Sequence, residues 1–179
     1  MSGSSPPGAA RAFGRRAASS PRRSAARLAA TQALYQIEMA GGSAEAVLRE
    51  FLDHRVGEEV DGLRLPAVDR AMLGDLIKGV VAARKALDDM LAAVLEADWP
   101  VERLETLLRV VLRAGAYELS ERPDVPARVI VTEYVDLAHA FFSGKEPGLV
   151  NGVLDRLARA LRTEEFAQDG PPAAKPEPD

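Results

Sequence analysis

The chain has 179 residues, of which 47% are hydrophobic and 28% charged, and its formal net charge is -4. That composition is typical of a globular domain and lies far from the low hydrophobicity of disordered chains. Neither a cysteine nor a run of about eighteen apolar residues occurs, which argues against disulfides, thiolate metal sites and a membrane span and favours a cytoplasmic protein.

Positive charge is concentrated at the start of the chain. No lysine and no acidic residue precedes Glu38, whereas six arginines do: Arg11, Arg15, Arg16, Arg22, Arg23 and Arg27. Because these six contribute +6 to a net charge of -4, the rest of the chain carries -10. Such asymmetry indicates a polyanionic partner for the basic end.

The two ends of the chain differ in composition from its middle. Residues 1–21 are rich in Gly, Pro, Ser and Arg and show no periodicity, which predicts a disordered basic arm. Residues 163–179 are rich in proline and acidic side chains, which predicts a disordered acidic tail. The folded part is therefore expected over residues 22–162.

Apolar residues within that part recur at helical spacing and predict about seven helices. The apolar positions that mark them span residues 26–37, 47–51, 68–81, 87–95, 101–119, 130–141 and 150–161. Gly41 and Gly42 end the first helix, Ser43 caps the second, and Asp98 is a candidate cap for the fifth.

The fifth helix has the broadest apolar stripe, which indicates a central, largely buried position. Its Gly115 and Ala116 let neighbouring helices approach closely, and the prolines of "RPDVP" end it. Asn151 and Gly152 lie inside a 3.6-residue pattern, so a hairpin there is rejected, and no two alternating runs could pair as strands. We therefore predict an all-α fold of two small bundles, at about 22–88 and 89–162.

No arrangement typical of catalysis or of a cofactor is found. His54 and His139 lie on different predicted helices without neighbours at metal-ligand spacing. "SGKEPG" lacks the spacing of a phosphate-binding loop, and paired carboxylates such as Asp88 and Asp89 are typical of a solvated helix face. The sequence thus predicts no enzyme, no metal and no cofactor.

The remaining chemistry is binding. Arginine keeps its charge at physiological pH and offers a donor fork that matches phosphate oxygens. Arg23 and Arg27 are neighbours on one face of the first helix, Thr31 lies one turn further, and Gln32 lies beside them with groups suited to a base edge. This pattern predicts nucleic-acid binding, although such arginines can also simply solubilise a flexible terminus.

Two stretches resemble a known family. "RRSAARLAATQALYQIE", and above all "LRAGAYELSERPDVPARVIVTEYVDLAHAF" followed by "LVNGVLDRLARAL", closely resemble the NusB family of bacterial transcription antitermination factors. The resemblance covers roughly residues 22–161 and is most specific between Leu112 and Asp155.

The resemblance implies a non-enzymatic, all-helical protein with two helical subdomains. It also implies binding to the boxA element of nascent single-stranded RNA together with a small-subunit ribosomal protein called NusE. In this role the protein joins an antitermination complex with RNA polymerase and acts notably in ribosomal RNA operons. Both monomers and homodimers are compatible with the resemblance.

The resemblance also assigns roles to residues of the first helix. Arg22, Arg23 and Arg27 match the arginine-rich RNA-binding segment, and Gln32 and Tyr35 belong to the matching "QALY" near the RNA and protein-partner surfaces. Tyr35 is equally compatible with a core position that leaves its hydroxyl at the rim. If three arginines each neutralise one phosphate, the logarithm of RNA affinity falls with log salt at a slope of about -2.

A second RNA contact region is implied just before "VNGVLD". Lys145 supplies charge there, and Asn151 either contacts RNA or caps the last helix. Gly148 and Leu149 stand where relatives often have a basic residue and a stacking phenylalanine.

The sequence leaves open the roles of two glutamates and allows two alternative functions. Glu118 and Glu133 are left open between helix-end hydrogen bonding and contact with the protein partner. The chain could instead be the RNA-binding module of a ribosomal RNA cytosine methyltransferase, which would need a further catalytic domain. A third possibility is a helical scaffold that binds only protein, with its acidic part docking a basic ribosomal protein.

Overall fold

The computed structural model describes residues 19–54, 59–60, 63–64 and 67–167. Nearly all of the predicted basic arm, with Arg11, Arg15 and Arg16, and residues 168–179 of the predicted tail lie outside the described residues. The α-helices of the described part are α1 (Pro21–Ala40), α2 (Ala44–His54), α3 (Arg70–Ala82), α4 (Arg84–Val94), α5 (Thr106–Glu121), α6 (Ala127–Phe141), α7 (Glu146–Leu161) and α8 (Thr163–Phe166).

These elements confirm the prediction of an all-α fold, with one small addition. The two-residue strands β1 (Glu59–Val60) and β2 (Leu63–Arg64) pair antiparallel between α2 and α3. The alternation rule requires longer runs, so it could not detect a pair this short. The division into bundles at residues 22–88 and 89–162 stays a prediction.

The first two helices begin and end as their sequence indicates. Ser20 caps α1, and its side chain accepts a hydrogen bond from Arg23 N at 3.4 Å. Gly41 and Gly42 have φ of 78° and 109°, a region that favours glycine, and the chain leaves α1 there. Ser43 Oγ then accepts from Ala46 N at 3.1 Å, which confirms its predicted capping role.

The start of α5 differs from the prediction. The helix begins at Thr106, because the side chain of Glu105 accepts from Leu107 N at 3.4 Å and so caps it. Asp98 is therefore not the cap, and the residues Val101–Arg103 form a separate 3-10 turn before the helix.

The core centres on α5, which contacts α1, α3, α4, α6 and α7. Every residue from 110 to 119 is buried, as the broad apolar stripe predicted. A Cβ on Gly115 would lie 2.7 Å from Leu154 Cδ1, so the absence of a side chain allows α7 to pack closely against α5. The same central position makes α5 the helix that receives the side chains of α1.

The predicted tail is helical and packed over its first residues. Residues 163–166 form α8, and Phe166 is buried with the guanidinium groups of Arg128 and Arg159 at 5.0 and 4.8 Å from its ring centre. Glu165 Oε2 accepts from Ala127 N at 2.8 Å. The prediction that disorder begins at residue 163 is therefore wrong, because these contacts fix the segment on the start of α6.

Candidate functional site

The arginine-rich start of α1 divides into exposed and buried residues. Arg22 is exposed. The Arg23 side chain is 35% exposed, with its Nε 3.9 Å from Asp69 Oδ2 and its Nη2 3.6 Å from Asp124 Oδ2. These distances are those of loose surface ion pairs, so Arg23 remains within reach of an external anion.

Arg27 faces the protein interior. Its side chain is 0% exposed and binds Glu118 of α5 in a bidentate manner, with Nε to Oε2 and Nη2 to Oε1 both at 2.8 Å. Glu118 is itself fully buried. Predicting Arg27 as an RNA contact is therefore wrong, and so is predicting Glu118 as a partner contact or a helix-end group: each neutralises the other in the core.

Further groups complete the surroundings of Arg27. Its Nη1 donates to Ser19 Oγ at 2.6 Å and to Glu133 Oε2 at 3.2 Å. Ser24 Oγ donates to the same Glu133 oxygen at 2.7 Å. The Arg27 guanidinium thus connects α1 to α5 and α6 and also binds Ser19, which lies just before α1.

The electrostatics of this cluster favour the charged pair. Burial acts to lower the pKa of Arg27, but the hydrogen bond and charge of Glu118 outweigh burial, and the pKa is raised. Burial, followed by the Glu118 charge, raises the pKa of the neighbouring Tyr134 phenol well above its ordinary value. The cluster therefore holds one cation beside carboxylates and a neutral phenol.

The other predicted residues of α1 are also divided between the buried and the exposed face of the helix. Thr31 is 0% exposed, and its hydroxyl donates to Arg27 O at 2.9 Å, so its predicted RNA contact is wrong. Gln32 is exposed and Tyr35 is partly exposed, which leaves both available to a partner. Glu133 keeps 18% of its side chain exposed, and its partner role stays a prediction.

The second predicted contact region lies at the start of α7. Lys145 is exposed immediately before the helix, and Asn151 is exposed in its second turn. Because α7 already begins at Glu146, Asn151 is not a helix cap. Gly148 is exposed and a Cβ there would meet nothing within 4 Å, so the position has room for a longer side chain.

A carboxylate and arginine network borders the start of α1. Arg122 donates to Asp124 at 3.0 and 3.2 Å and to Asp75 Oδ2 at 3.1 Å. The hydrogen bond from Arg122 lowers the pKa of the Asp124 carboxyl. The Tyr117 hydroxyl donates to Asp75 Oδ1 at 2.8 Å, and burial together with this carboxylate raises the Tyr117 pKa to about 12. Sequence reasoning missed this network because its members come from α3, α5 and the turn after α5.

The described residues contain no group of three His, Cys, Asp or Glu side chains placed to hold a metal ion. Among the helices of the same residues, none is long and apolar enough to cross a membrane.

Comparison with known proteins identifies the family. The NusB family model matches residues 24–159. The transcription antitermination protein NusB of Bradyrhizobium sp. (strain BTAi1) is 51% identical over 145 residues, covering 81% of this chain and 86% of the relative. That of Nitrobacter hamburgensis is 50% identical over 147 residues, covering 82% of this chain and 92% of the relative.

Solved structures agree with the fold. T. maritima NusB is 28% identical with a TM-score of 0.67, covering 84% of this chain and 99% of that chain. A chain from the crystal structure of antitermination factors NusB and NusE in complex with dsRNA is 23% identical with a TM-score of 0.60, covering 76% of this chain and 96% of that chain. The relatives are named as transcription antitermination proteins rather than as enzymes, which agrees with the prediction of no catalytic activity. From the family match and the identity to these relatives, the chain belongs to the NusB family.

Proposed function

We propose that this protein is an RNA-binding transcription antitermination factor of the cytoplasm. Together with the small-subunit ribosomal protein NusE, it binds the boxA element of nascent single-stranded RNA and helps RNA polymerase to transcribe ribosomal RNA operons processively. The observation that carries the proposal is 51% identity, over 86% of the relative's length, to a protein named transcription antitermination protein NusB.

The geometry of α1 supports an RNA surface at its start. Arg22 and Arg23 offer guanidinium groups to solvent, and Gln32 offers an amide two to three turns further along the same helix. Arg11, Arg15 and Arg16 precede this surface in the chain and add cations of the same type. Arginine forks bind phosphate oxygens, and exposed amides can bind base edges, so this combination suits a nucleic acid.

The second contact region adds a charge and an amide. Lys145 and Asn151 are exposed around the first turns of α7. We assign them to the same RNA, and Tyr35 and Glu133 to the side that meets NusE. The solved assembly that includes a chain of this fold contains NusB, NusE and dsRNA together, which supports a complex of both proteins with RNA.

The burial of Arg27 changes the expected salt dependence. With two accessible arginines on α1 instead of three, the logarithm of RNA affinity should fall with log salt at a slope of about -1.4. This value assumes one phosphate contact per arginine and about 0.7 per contact. Raising salt from about 50 to about 200 mM should therefore weaken RNA binding by at least about sevenfold. The arm and Lys145 can only increase this factor.

The direct test is fluorescence anisotropy of a labelled boxA-containing RNA at these two salt concentrations. A scrambled RNA of equal composition and a duplex of the boxA sequence serve as controls, each measured with and without NusE. We expect the single-stranded boxA RNA to bind most tightly, and more tightly still with NusE. Equal binding to all three RNAs would contradict the boxA assignment, and binding to NusE but to none of the three RNAs would show a protein-only scaffold.

A further inference from the structure

The arginines near the start of α1 differ in their pairing. Arg23, Arg27 and Arg122 each lie within 4 Å of at least one carboxylate oxygen. Arg22, and Arg70 at the start of α3, are exposed and form no ion pair among the residues that the structure describes. These two guanidinium groups are therefore the ones most available to an external anion.

The fold brings the backbones of Arg22 and Arg70 close together. Asp69 N donates a hydrogen bond to Arg22 O at 3.1 Å, which joins the backbone before α3 to the first turn of α1. Arg70 follows Asp69 directly, and consecutive Cα atoms are about 3.8 Å apart. Two arginines that are far apart in the sequence thus lie close together in the folded protein, at the starts of α1 and α3.

Asp69 is the nearest acidic residue to Arg70 in the chain, and its carboxylate interacts with other groups. Its Oδ1 accepts from Met72 N at 3.0 Å and so caps α3. Its Oδ2 lies 3.9 Å from Arg23 Nε. Asp69 therefore pairs with Arg23 and the backbone, and no other carboxylate of the described residues pairs with Arg70.

We propose that Arg70 is a further RNA-binding residue, which binds a phosphate adjacent to the one bound by Arg22. This inference rests on the proposed RNA-binding function and adds a contact from α3 to those of α1 and α7. A guanidinium fork with no internal carboxylate matches phosphate oxygens, and two neighbouring forks match consecutive phosphates of one strand. With Arg70 included, the described arginines at this end again give a slope of about -2.

The test compares Arg70→Gln with Arg22→Gln and with Arg103→Gln as a matched control. Arg103 is likewise exposed and without an ion pair among the described residues, but it lies before the start of α5. The start of α1 meets the opposite end of α5, at Glu118. Thermal unfolding of each variant checks that the fold is kept.

The readout is the affinity for labelled boxA RNA as a function of salt. We expect Arg70→Gln and Arg22→Gln each to bind about fivefold more weakly at about 0.1 M salt, with slopes reduced by about 0.7, and Arg103→Gln to match wild type. Arg70→Lys, which keeps the charge but loses the fork, should keep the wild-type slope of log affinity against log salt.

Three results would overturn the assignment. If Arg22→Gln weakens binding while Arg70→Gln behaves like Arg103→Gln, RNA binding stands and the role of Arg70 is refuted. If the slope for Arg70→Lys is reduced as much as that for Arg70→Gln, the effect does not come from the charge and a phosphate contact is refuted. If wild-type protein binds no RNA, with or without NusE, the proposed function fails together with the contact.

Discussion

Two arginines of the same helix, Arg22 and Arg27, have opposite surroundings. Arg22 is exposed and forms no ion pair among the described residues, whereas Arg27 is 0% exposed and binds Glu118 through two hydrogen bonds of 2.8 Å. Both belong to one arginine-rich segment and have the same chemistry. The difference shows that residue type predicts what a side chain can bind, while burial decides whether its partner is the protein itself or another molecule.

The largest expected effect comes from breaking the buried pair. Arg27→Gln should lower the free energy of unfolding by about 3–5 kcal/mol, because it leaves Glu118 charged and buried without its cation. Urea unfolding followed by circular dichroism measures this loss. A loss below about 1 kcal/mol would show that Arg27 is not a structural residue.

A matched double variant separates the charge from the packing. Arg27→Met combined with Glu118→Leu removes both charges and keeps apolar volume, and such replacements of buried ion pairs are often nearly neutral. We therefore expect it to be more stable than Arg27→Gln alone. A double variant that is less stable than the single one would contradict the pairing.

A second test uses Arg162, another arginine with an internal role. Its guanidinium donates to Leu119 O at 2.7 Å and to Arg122 O at 2.8 Å, and so satisfies carbonyl groups at the end of α5. Arg162→Gln should cost about 2–3 kcal/mol of unfolding free energy, because these carbonyls lose a charged donor. Arg103→Gln, measured in the same way, should change stability by less than about 0.5 kcal/mol.

A third test measures how the unfolding free energy depends on the ionisation of Tyr117, a buried residue of α5. The Tyr117 pKa is raised to about 12 in the folded chain, while an unfolded tyrosine has a pKa of about 10. Above pH 10 the unfolded state loses its proton first, so the stabilisation is complete below pH 10 and is lost as pH rises through 12. From pH 9 to 11, wild type should lose about 1.3 kcal/mol more than Tyr117→Phe in urea unfolding. Equal losses would mean that Tyr117 ionises normally.

The smallest expected change is on the exposed side. Arg22→Gln should weaken boxA RNA binding about fivefold at about 0.1 M salt, which is about 1 kcal/mol, because one phosphate contact is lost. Its unfolding free energy should stay within about 0.5 kcal/mol of wild type. A variant that binds RNA normally but unfolds easily would reverse the comparison between Arg22 and Arg27.

Helical periodicity predicted the elements well because their apolar faces are long and continuous. The end of α1 was predictable because Gly41 and Gly42 adopt positive φ, and the burial of α5 followed from its wide stripe. The short helix α8 was not predictable, since four residues carry no periodicity and its order comes from contacts with α6.

The buried pair had a signal in the sequence that phosphate chemistry obscured. Arg27, Ala30, Thr31 and Leu34 fall at i, i+3, i+4 and i+7, which is one helix face, and all four are buried. Glu118 lies in the apolar stripe of α5, so two opposite charges on two apolar faces indicate a buried ion pair. The neighbourhood of Arg22 and Arg70 had no such signal, because only the packing of α1 against α3 brings them together.

The most direct test of the division between Arg22 and Arg27 is the salt dependence of boxA RNA binding by two variants. One is Arg22→Gln, and the other is the double variant Arg27→Met with Glu118→Leu, both checked for an intact fold. We predict that the double variant keeps the wild-type slope of log affinity against log salt, whereas the slope for Arg22→Gln is less steep by about 0.7. A reduced slope in the double variant together with a wild-type slope in Arg22→Gln would contradict the account.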